Sequence, residues 1–510
     1  MLAFARSAAI LGIDAYIVVV EVDAAAGLPA IATVGLAQSA VKEGKERVLS
    51  ALQNSGFEVP PRRITVNLAP ADVKKEGSHF DLPIACGLLA ASGQLSPDSF
   101  QRYALAGELG LDGSLRPIRG ALSMAQAVAQ ADLTGFIVPA ANLSEASVIE
   151  GLDVRGAGSL SDVVAFLSGG SELPAKDFDA AAALGRRAGS TLDLADVRGQ
   201  EHAKRALEIA AAGGHNILLV GPPGGGKTML ARRLPGILPR LSLAEAIEVT
   251  RVHSVAGQLA PDQGLVSRRP FRAPHHTISD AGLIGGGALP RPGEASLAHH
   301  GVLFLDELTE FRRNVLEVLR QPLEDGEVTI GRASRSLSYP ARFVLAAAMN
   351  PCHCGLLGDS GKTCRCTPRM IQRYRSKVSG PLLDRIDLHI EVPPVSSPEL
   401  LDSIDGESSA AVSARVEAAR RLQRARFAGR DRLYANAQMR ARDVRKFCDV
   451  DETGLSLLRS AMARFGLSAR SFHRVLKIAR TIADLAESET IRSAHIAEAI
   501  QYRGLDRNVL

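Results

Sequence analysis

The sequence predicts a multi-domain α/β protein: an N-terminal α+β region, a central parallel sheet and a helical C-terminal region. Three observations predict it. From Leu192 onward, short continuous apolar runs alternate with helical stretches. Ile217–Val220, Val302–Leu305 and 343–347 have the character of strands buried on both faces of a parallel sheet. A glycine-rich loop at 221–228 sits between the first of these runs and an apolar helical stretch from Met229. After about Pro394 the strand-like runs stop, and 399–428 and 453–486 read as helices.

Taken in order, 1–168 forms the first region. Within it, 15–20 and 64–67 are short and β-branched and read as strands. Ser39–Asn54 reads as a helix, with Val41, Val48, Leu49 and Leu52 at helical spacing, and Gly56, Pro60 and Pro61 punctuate after it. A linker is expected over 169–190, which opens on Gly169 and Gly170, carries an alanine run at 180–183 and closes on Gly189 and Ser190. The central sheet is expected over 191–395 and the helical region over 396–510. At about 150 residues per domain, 510 residues agree with roughly three domains.

Composition excludes several classes. Lys plus Arg is 60 and Asp plus Glu is 55, a net charge of +5, so the chain is neither a uniformly basic coat nor an acidic tail. Aromatics are 4% with no Trp, which argues against a protein built on base-stacking platforms. Six Cys exclude a disulfide scaffold. No window is apolar enough for a membrane span. Arg6 and Asp14 interrupt the apolar start, which reads as a strand rather than a signal peptide. A cytoplasmic location is expected.

The sharpest motif is Gly221, Pro222, Pro223, Gly224, Gly225, Gly226, Lys227, Thr228, a match to the G-x-x-x-x-G-K-[ST] phosphate loop. Glycines let backbone N–H groups close around phosphate oxygens. Lys227 supplies a point charge to ATP, and Thr228 a hydroxyl to Mg²⁺. Val302–Leu305 ends in Asp306 and Glu307: the first suits the Mg²⁺ shell, the second the activation of a water as general base. The third strand leads to Asn350, whose polar side chain can orient that water or contact the γ-phosphate. Further on, Arg385 lies among apolar residues, and its guanidinium suits a fork contact with phosphate or an ion pair with Asp384 or Asp387.

In this order these residues resemble the AAA+ ATPases. The chain more closely resembles the YifB/ComM family, relatives of the magnesium-chelatase ATPase subunit. The segments at 271–277, 285–287, 319–326 and 379–387 carry that resemblance. It implies that Asn350 is a first sensor and that Arg385 is an arginine finger acting on a neighbouring subunit. Arg470 is then a second sensor, with Arg474 and Arg480 competing on the same helix. It also implies a homo-oligomeric ring, a hexamer by analogy, with DNA as partner and helicase or branch-migration activity in natural transformation. Two elements are read from the residues as well. The stretch 271–294, rich in Gly, Pro and His, reads as an inserted loop, and 327–330 with 337–339 reads as a hairpin with a basic tip. By the same resemblance Arg332 and Arg335 at that tip face a pore; a solvated tip is the alternative.

Cys352, Cys354, Cys364 and Cys366 place four thiols within fifteen residues, a set that suits a structural Zn²⁺ or else free or redox-active thiols. Around them Lys362, Arg365, Arg369, Arg373, Arg375 and Lys377 occur with no acid between 362 and 377. Residues 411–446 add eleven basic residues against three acids. Both runs suit a phosphate backbone, and both also suit a solvated or ion-paired face. Cys86 and Cys448 are expected to be packing residues.

Residues 1–168 resemble the Lon-protease-like domain of ribosomal-S5-type fold, chiefly at 107–118. A peptidase of that kind needs a Ser nucleophile and a Lys base. Ser78 lies one place early, with His79 at the nucleophile position, and the base position falls near Leu122. A ring-forming ATPase acting on DNA is therefore the expected function. A chelatase-like protein or metal-insertion motor is the alternative, and a protease is disfavoured.

Overall fold

The computed structural model describes residues 1–36, 38–185, 192–260, 262–287, 290–331, 336–358, 362–394, 406–430, 433–465 and 469–503. They form two compact units. One comprises Met1–Arg186, Leu243–Ser267 and Gly331–Tyr339; the other comprises Arg187–Ser242, Arg268–Ile330 and Pro340–Leu510.

The first unit is built on a seven-stranded mixed sheet. Its spatial order is Ala30–Val34, Arg63–Ala69, Asp14–Ala25, Leu2–Leu11, Tyr103–Leu105, Gly135–Pro139 and Asp153–Ala157. The apolar start is a strand, and it pairs antiparallel with Asp14–Ala25 through Leu11 and Asp14. Only Gly12 and Ile13 lie between, and Gly12 sits at φ 69°, the left-handed geometry a two-residue hairpin turn requires. Alternate residues Ala3, Ala5, Val18, Val20 and Val22 face the core. Helix Ser39–Asn54 forms where its periodicity places it, and helix Asp81–Ala91 is buried along its whole length.

This unit does not follow the continuous boundaries 1–168, 169–190, 191–395 and 396–510. Helix Leu243–Ala256 belongs to it. Ser254 Oγ accepts from the Gly120 N–H at 2.8 Å and bonds the buried Glu145, and Arg251 donates to the Ile13 carbonyl at 2.9 Å. The expected linker is partly docked: Leu173 is buried in the core, and Lys176 Nζ donates to Ser144 Oγ at 2.6 Å. A short exposed helix, Ala180–Gly185, follows.

The second unit holds a five-stranded sheet whose pairs are all parallel. Its spatial order is Phe271–Arg272, Val302–Leu305, Val344–Met349, Ile217–Val220 and Leu388–Glu391. Ile217 and Leu219 pack into one core, under helices Glu201–Gly213, Lys227–Ile237 and Ser409–Arg426. Leu218 and Val220 pack into the opposite core, beside Leu303, Leu345 and Leu382. Burial on both faces explains the unbroken apolar runs. The stretch read as an inserted loop begins instead as the edge strand Phe271–Arg272, and it continues through helix Asp280–Ile284 and a small pairing of Gly285–Gly286 with Arg291–Pro292.

Leu388–Glu391 is the last strand of this sheet. Beyond it, the helix expected over 399–428 is found as Ser409–Arg426, and residues 395–405 lie outside the described residues. Of the helix expected over 453–486, the described residues form Glu452–Phe465 and Ala469–Leu485; 466–468 lie outside the described residues. Strands Glu327–Gly331 and Ser336–Pro340 occur where the hairpin is expected, whereas Arg332 and Arg335 lie outside the described residues. Among the described residues, no helix is long and apolar enough to cross a membrane.

Candidate functional site

The parallel sheet decides which loops meet. Strand Ile217–Val220 lies between Val344–Met349 and Leu388–Glu391, and Val302–Leu305 lies beside Val344–Met349. Because all run the same way, the residues that follow each strand gather at one edge. Those residues are Gly221, Asp306 and Asn350.

The loop after Ile217–Val220 needs glycine. Gly224 and Gly226 sit at φ 79° and 84°, and at Gly221 a Cβ would lie 2.0 Å from the Val392 carbonyl oxygen. The loop ends at helix Lys227–Ile237, whose N-terminal N–H groups and dipole favour an anion. Lys227 is buried. Its Nζ donates to the carbonyls of Gly221 and Pro222 at 2.6 and 2.8 Å and to Asn350 Oδ1 at 3.2 Å. Burial lowers its pKa from the ordinary lysine value, and the charge of Asp306 opposes that. A buried ammonium held only by neutral oxygens is stabilised by an incoming phosphate.

Thr228 Oγ1 donates to Asp306 Oδ2 at 2.7 Å, so the hydroxyl and carboxylate suited to Mg²⁺ already adjoin. Both the glycine cradle and this donor pair fit ATP with Mg²⁺. Glu307 follows at φ 50°, an unusual value for a residue with a side chain, and its N–H donates to Asp306 Oδ1 at 2.9 Å. Its carboxylate is 60% exposed and lies 3.5 Å from His276 Nδ1. Spacing does not reveal that contact. It arises because Phe271–Arg272 is the strand next to Val302–Leu305, a pairing hidden by reading 271–294 as a loop.

Arg385 is buried within its own chain. It ion-pairs with Glu324 and donates to the Pro381 carbonyl at 2.6 Å. The neighbouring Asp387 meets His215 Nδ1 at 3.1 Å and Arg474 at 3.7 Å, and His215 Nε2 lies 2.8 Å from Thr481 Oγ1. Burial would raise the Asp387 pKa, but the His215 hydrogen bond and the charges of His215, Arg474 and Lys477 hold it well below the carboxylate range. This knot ties the Arg385 segment to helix Ala469–Leu485. It also separates the three arginines of that helix. Arg474 is engaged by Asp387 and Arg480 by Asp484, whereas Arg470 is exposed at the helix start.

The four cysteines converge. Cys352 Sγ lies 3.4 Å from Cys354 Sγ and 3.7 Å from Cys364 Sγ, Cys354 and Cys364 are 3.6 Å apart, and all four sulfurs lie within 4.8 Å of one another. None is in a disulfide. With Zn–S bonds of about 2.3 Å, a tetrahedral site needs sulfurs about 3.8 Å apart, so this donor set fits Zn²⁺.

The two basic runs differ. Lys362, Arg365, Arg369 and Arg373 are exposed, on and before helix Pro368–Arg375. Arg375 donates to the Pro351 carbonyl, and Lys377 pairs with Glu310. In the second run, Arg415 pairs with Glu208 and Glu407, Arg426 with Asp484 and Arg430 with Asp443, and Arg420 donates to the Tyr434 carbonyl. Arg424 also pairs with Glu417, whereas Arg421, Arg440, Arg445 and Lys446 are exposed, so the run is part internal ion pairing and part exposed cations. Arg432 lies outside the described residues.

In the first unit, Ser78 Oγ bonds Glu108, His79 is buried, and Leu122 is fully buried. Burial pushes the His79 imidazole down to about 4, opposed by a hydrogen bond with the Ala8 backbone. Cys86 and Cys448 are buried, as packing residues are.

Comparison with known proteins extends over nearly the whole chain. The family described as magnesium chelatase, subunit ChlI, matches residues 193–400. Subunit ChlI of Mg-chelatase matches 20–142, and the ChlI C-terminal family matches 406–503. The competence protein ComM of Haemophilus influenzae is 46% identical over 508 residues, 99% of this chain and 98% of that protein. The Escherichia coli protein YifB is 45% identical over 509 residues, with the same two shares. The magnesium-chelatase 38 kDa subunit of Rhodobacter capsulatus is 30% identical over 172 residues, 30% of this chain and 48% of that protein.

Proposed function

This chain belongs to the YifB/ComM family of magnesium-chelatase-like AAA+ ATPases, and we propose that it forms a ring coupling ATP hydrolysis to DNA remodelling of the helicase or branch-migration kind. One observation carries the ATPase chemistry: Lys227, Asn350, Thr228 and Asp306 are joined by hydrogen bonds at one edge of the sheet. Lys227 holds the phosphates by charge, and Thr228 and Asp306 hold the metal. Mg²⁺, when bound, supplies neutralisation of phosphate charge. Glu307 takes the proton of the attacking water, and Asn350 orients it. Arg385 serves a neighbouring subunit once it exchanges Glu324 for phosphate, and Arg470 serves as the second sensor. Ring assembly, with six subunits as the family expectation, follows from that exchange. A structural Zn²⁺ in the four thiols completes the cofactor set.

The DNA reading is supported by the exposed cations Lys362, Arg365, Arg369 and Arg373, with no acid among them. It is also supported by near-complete likeness to a protein named for competence. The chelatase-like motor is the second reading. It rests on the magnesium-chelatase subunit families matched along the chain and on a likeness covering 48% of one chelatase subunit, but a porphyrin-handling partner offers no polyanion to these cations. Peptidase activity has no base where Leu122 stands.

The test is the ATPase rate with and without forked or four-way DNA, in the natural protein and in Glu307→Gln. Stimulation by DNA and salt-sensitive binding, both weakened in an Arg365→Ala/Arg369→Ala/Arg373→Ala variant, are expected. Hydrolysis indifferent to DNA, with no salt-sensitive binding, overturns the DNA reading and leaves the ATPase.

A further inference from the structure

We infer that the four-thiol site is a metal-dependent brace for the hydrolysis residues: Zn²⁺ at Cys352, Cys354, Cys364 and Cys366 holds Asn350 and the phosphate loop in register. This rests on the zinc reading above and adds to it a role in turnover.

The covalent path is short. Asn350, which accepts from Lys227, is two residues before Cys352. Between the two cysteine pairs the chain touches the phosphate loop itself. Gly355 sits at φ 79°, its N–H donates to the Cys352 carbonyl at 3.0 Å, and a Cβ there would lie 2.7 Å from Pro223 Cδ. The backbone of the cysteine loop thus lies against the loop that receives phosphate, closer than any side chain at 355 allows.

The second cysteine pair is anchored on the other side. The Cys366 N–H points at Cys364 Sγ at 3.4 Å. Helix Pro368–Arg375 begins directly after it. That helix returns to the site twice: Arg375 Nε donates to the Pro351 carbonyl at 3.2 Å, and Tyr374 OH accepts from the buried Thr309 Oγ1 at 2.7 Å. Pro351 adjoins Asn350, and Thr309 is two residues beyond Glu307. An ion joining the two pairs therefore closes a loop whose ends rest on the water-orienting residue and on the segment after the general base. Without it, the thiols of Cys352, Cys354 and Cys364, 3.4–3.7 Å apart, contribute only weak S–H contacts to hold that loop. Cys352, buried and nearest to Asn350, is the anchor, and Cys364 is the clasp.

Four thiolates would fill a tetrahedral zinc shell and leave no position for a reacting atom, so removal of the ion should lower kcat far more than nucleotide affinity. The experiment uses the full-length protein. Elemental analysis measures zinc in the purified protein; a chelator then strips it, and zinc is returned. ATPase rate and affinity for a fluorescent ATP analogue are followed throughout. One zinc per chain is expected. The stripped protein should lose about tenfold or more in kcat with affinity changed less than about threefold, and added zinc should restore it. Cys364→Ser should behave as stripped protein, while Cys364→His, still a zinc ligand, should keep metal and most of the rate. If neither the purified protein nor zinc-titrated protein holds the metal, the zinc reading fails and the brace with it. If zinc binds but the stripped protein turns over at full rate, the brace alone is overturned. Loss of nucleotide binding together with the rate also overturns it, because the metal then supports the fold at large.

Discussion

Two segments of this chain resemble active-site motifs, and the two compact units treat them differently. In the unit of the parallel sheet, Lys227 reaches Asn350 and Thr228 reaches Asp306, across 123 and 78 residues of sequence. In the unit of the mixed sheet, Ser78 is spent on Glu108, His79 is buried, and the base position is occupied by Leu122. Parallel strands deliver several loops to one edge, so residues far apart in sequence converge there. The helix after Ser78, Asp81–Ala91, is buried along its whole length, and its one acid, Asp81, is held by Arg47 at 2.9 Å. Glycine-rich motifs alone do not make a site; the loops must end in the same place.

The largest effect should come from the nucleotide unit. Lys227→Ala and Glu307→Gln should each lower ATP hydrolysis by about 10²–10⁴-fold, while Ser78→Ala leaves it unchanged. Casein cleavage by the natural protein that disappears in Ser78→Ala would erase the contrast.

Next is the buried charge knot. Asp387→Asn leaves Arg474 without its counter-charge and should destabilise the second unit by about 3–5 kcal/mol. Asp81→Asn should cost less, since Arg47 is 26% exposed and water can compensate. Differential scanning calorimetry of both variants measures the order, and equal losses would remove the distinction.

Acid should act on the first unit through His79, whose imidazole is held neutral down to about 4. The unfolded chain takes up a proton near pH 6.5, and the folded one refuses it until about pH 4. The stabilisation is therefore complete above 6.5 and is lost as pH falls through that window, by about 3 kcal/mol. His79→Leu should flatten that part of the pH profile of stability. A profile unchanged by the substitution would place the sensitive group elsewhere.

The smallest effect is expected at His276. Its contact with Glu307 orients the carboxylate, so His276→Ala should lower kcat by less than about tenfold and leave nucleotide affinity intact. An affinity loss larger than the kcat loss would assign His276 to binding.

The phosphate loop, Asp306, Glu307 and their strands were legible in the sequence because their chemistry is local. A strand buried on both faces must be continuously apolar, and a loop that wraps phosphate must be glycine beside lysine. Helix Ser39–Asn54 was legible for the same reason, its periodicity being written in consecutive residues. The edge strand Phe271–Arg272 was not, because a two-residue pairing leaves no period to detect. Nor was the ion pairing of Arg415, Arg426 and Arg430, whose acids lie 8 to 207 residues away.

By itself, then, the sequence determined which residues can bind phosphate, metal and thiophilic ions, since those capacities belong to side chains and their near neighbours. Only the tertiary structure decided which of them act together. Strand order set Asn350 on Lys227 and His276 on Glu307, close packing set Gly355 against Pro223, and the knot at Asp387 left Arg470 as the exposed arginine among the three on its helix. The physical reason is that hydrogen bonds and ion pairs depend on distance in space, and the order of strands in a sheet is not the order of residues in a chain.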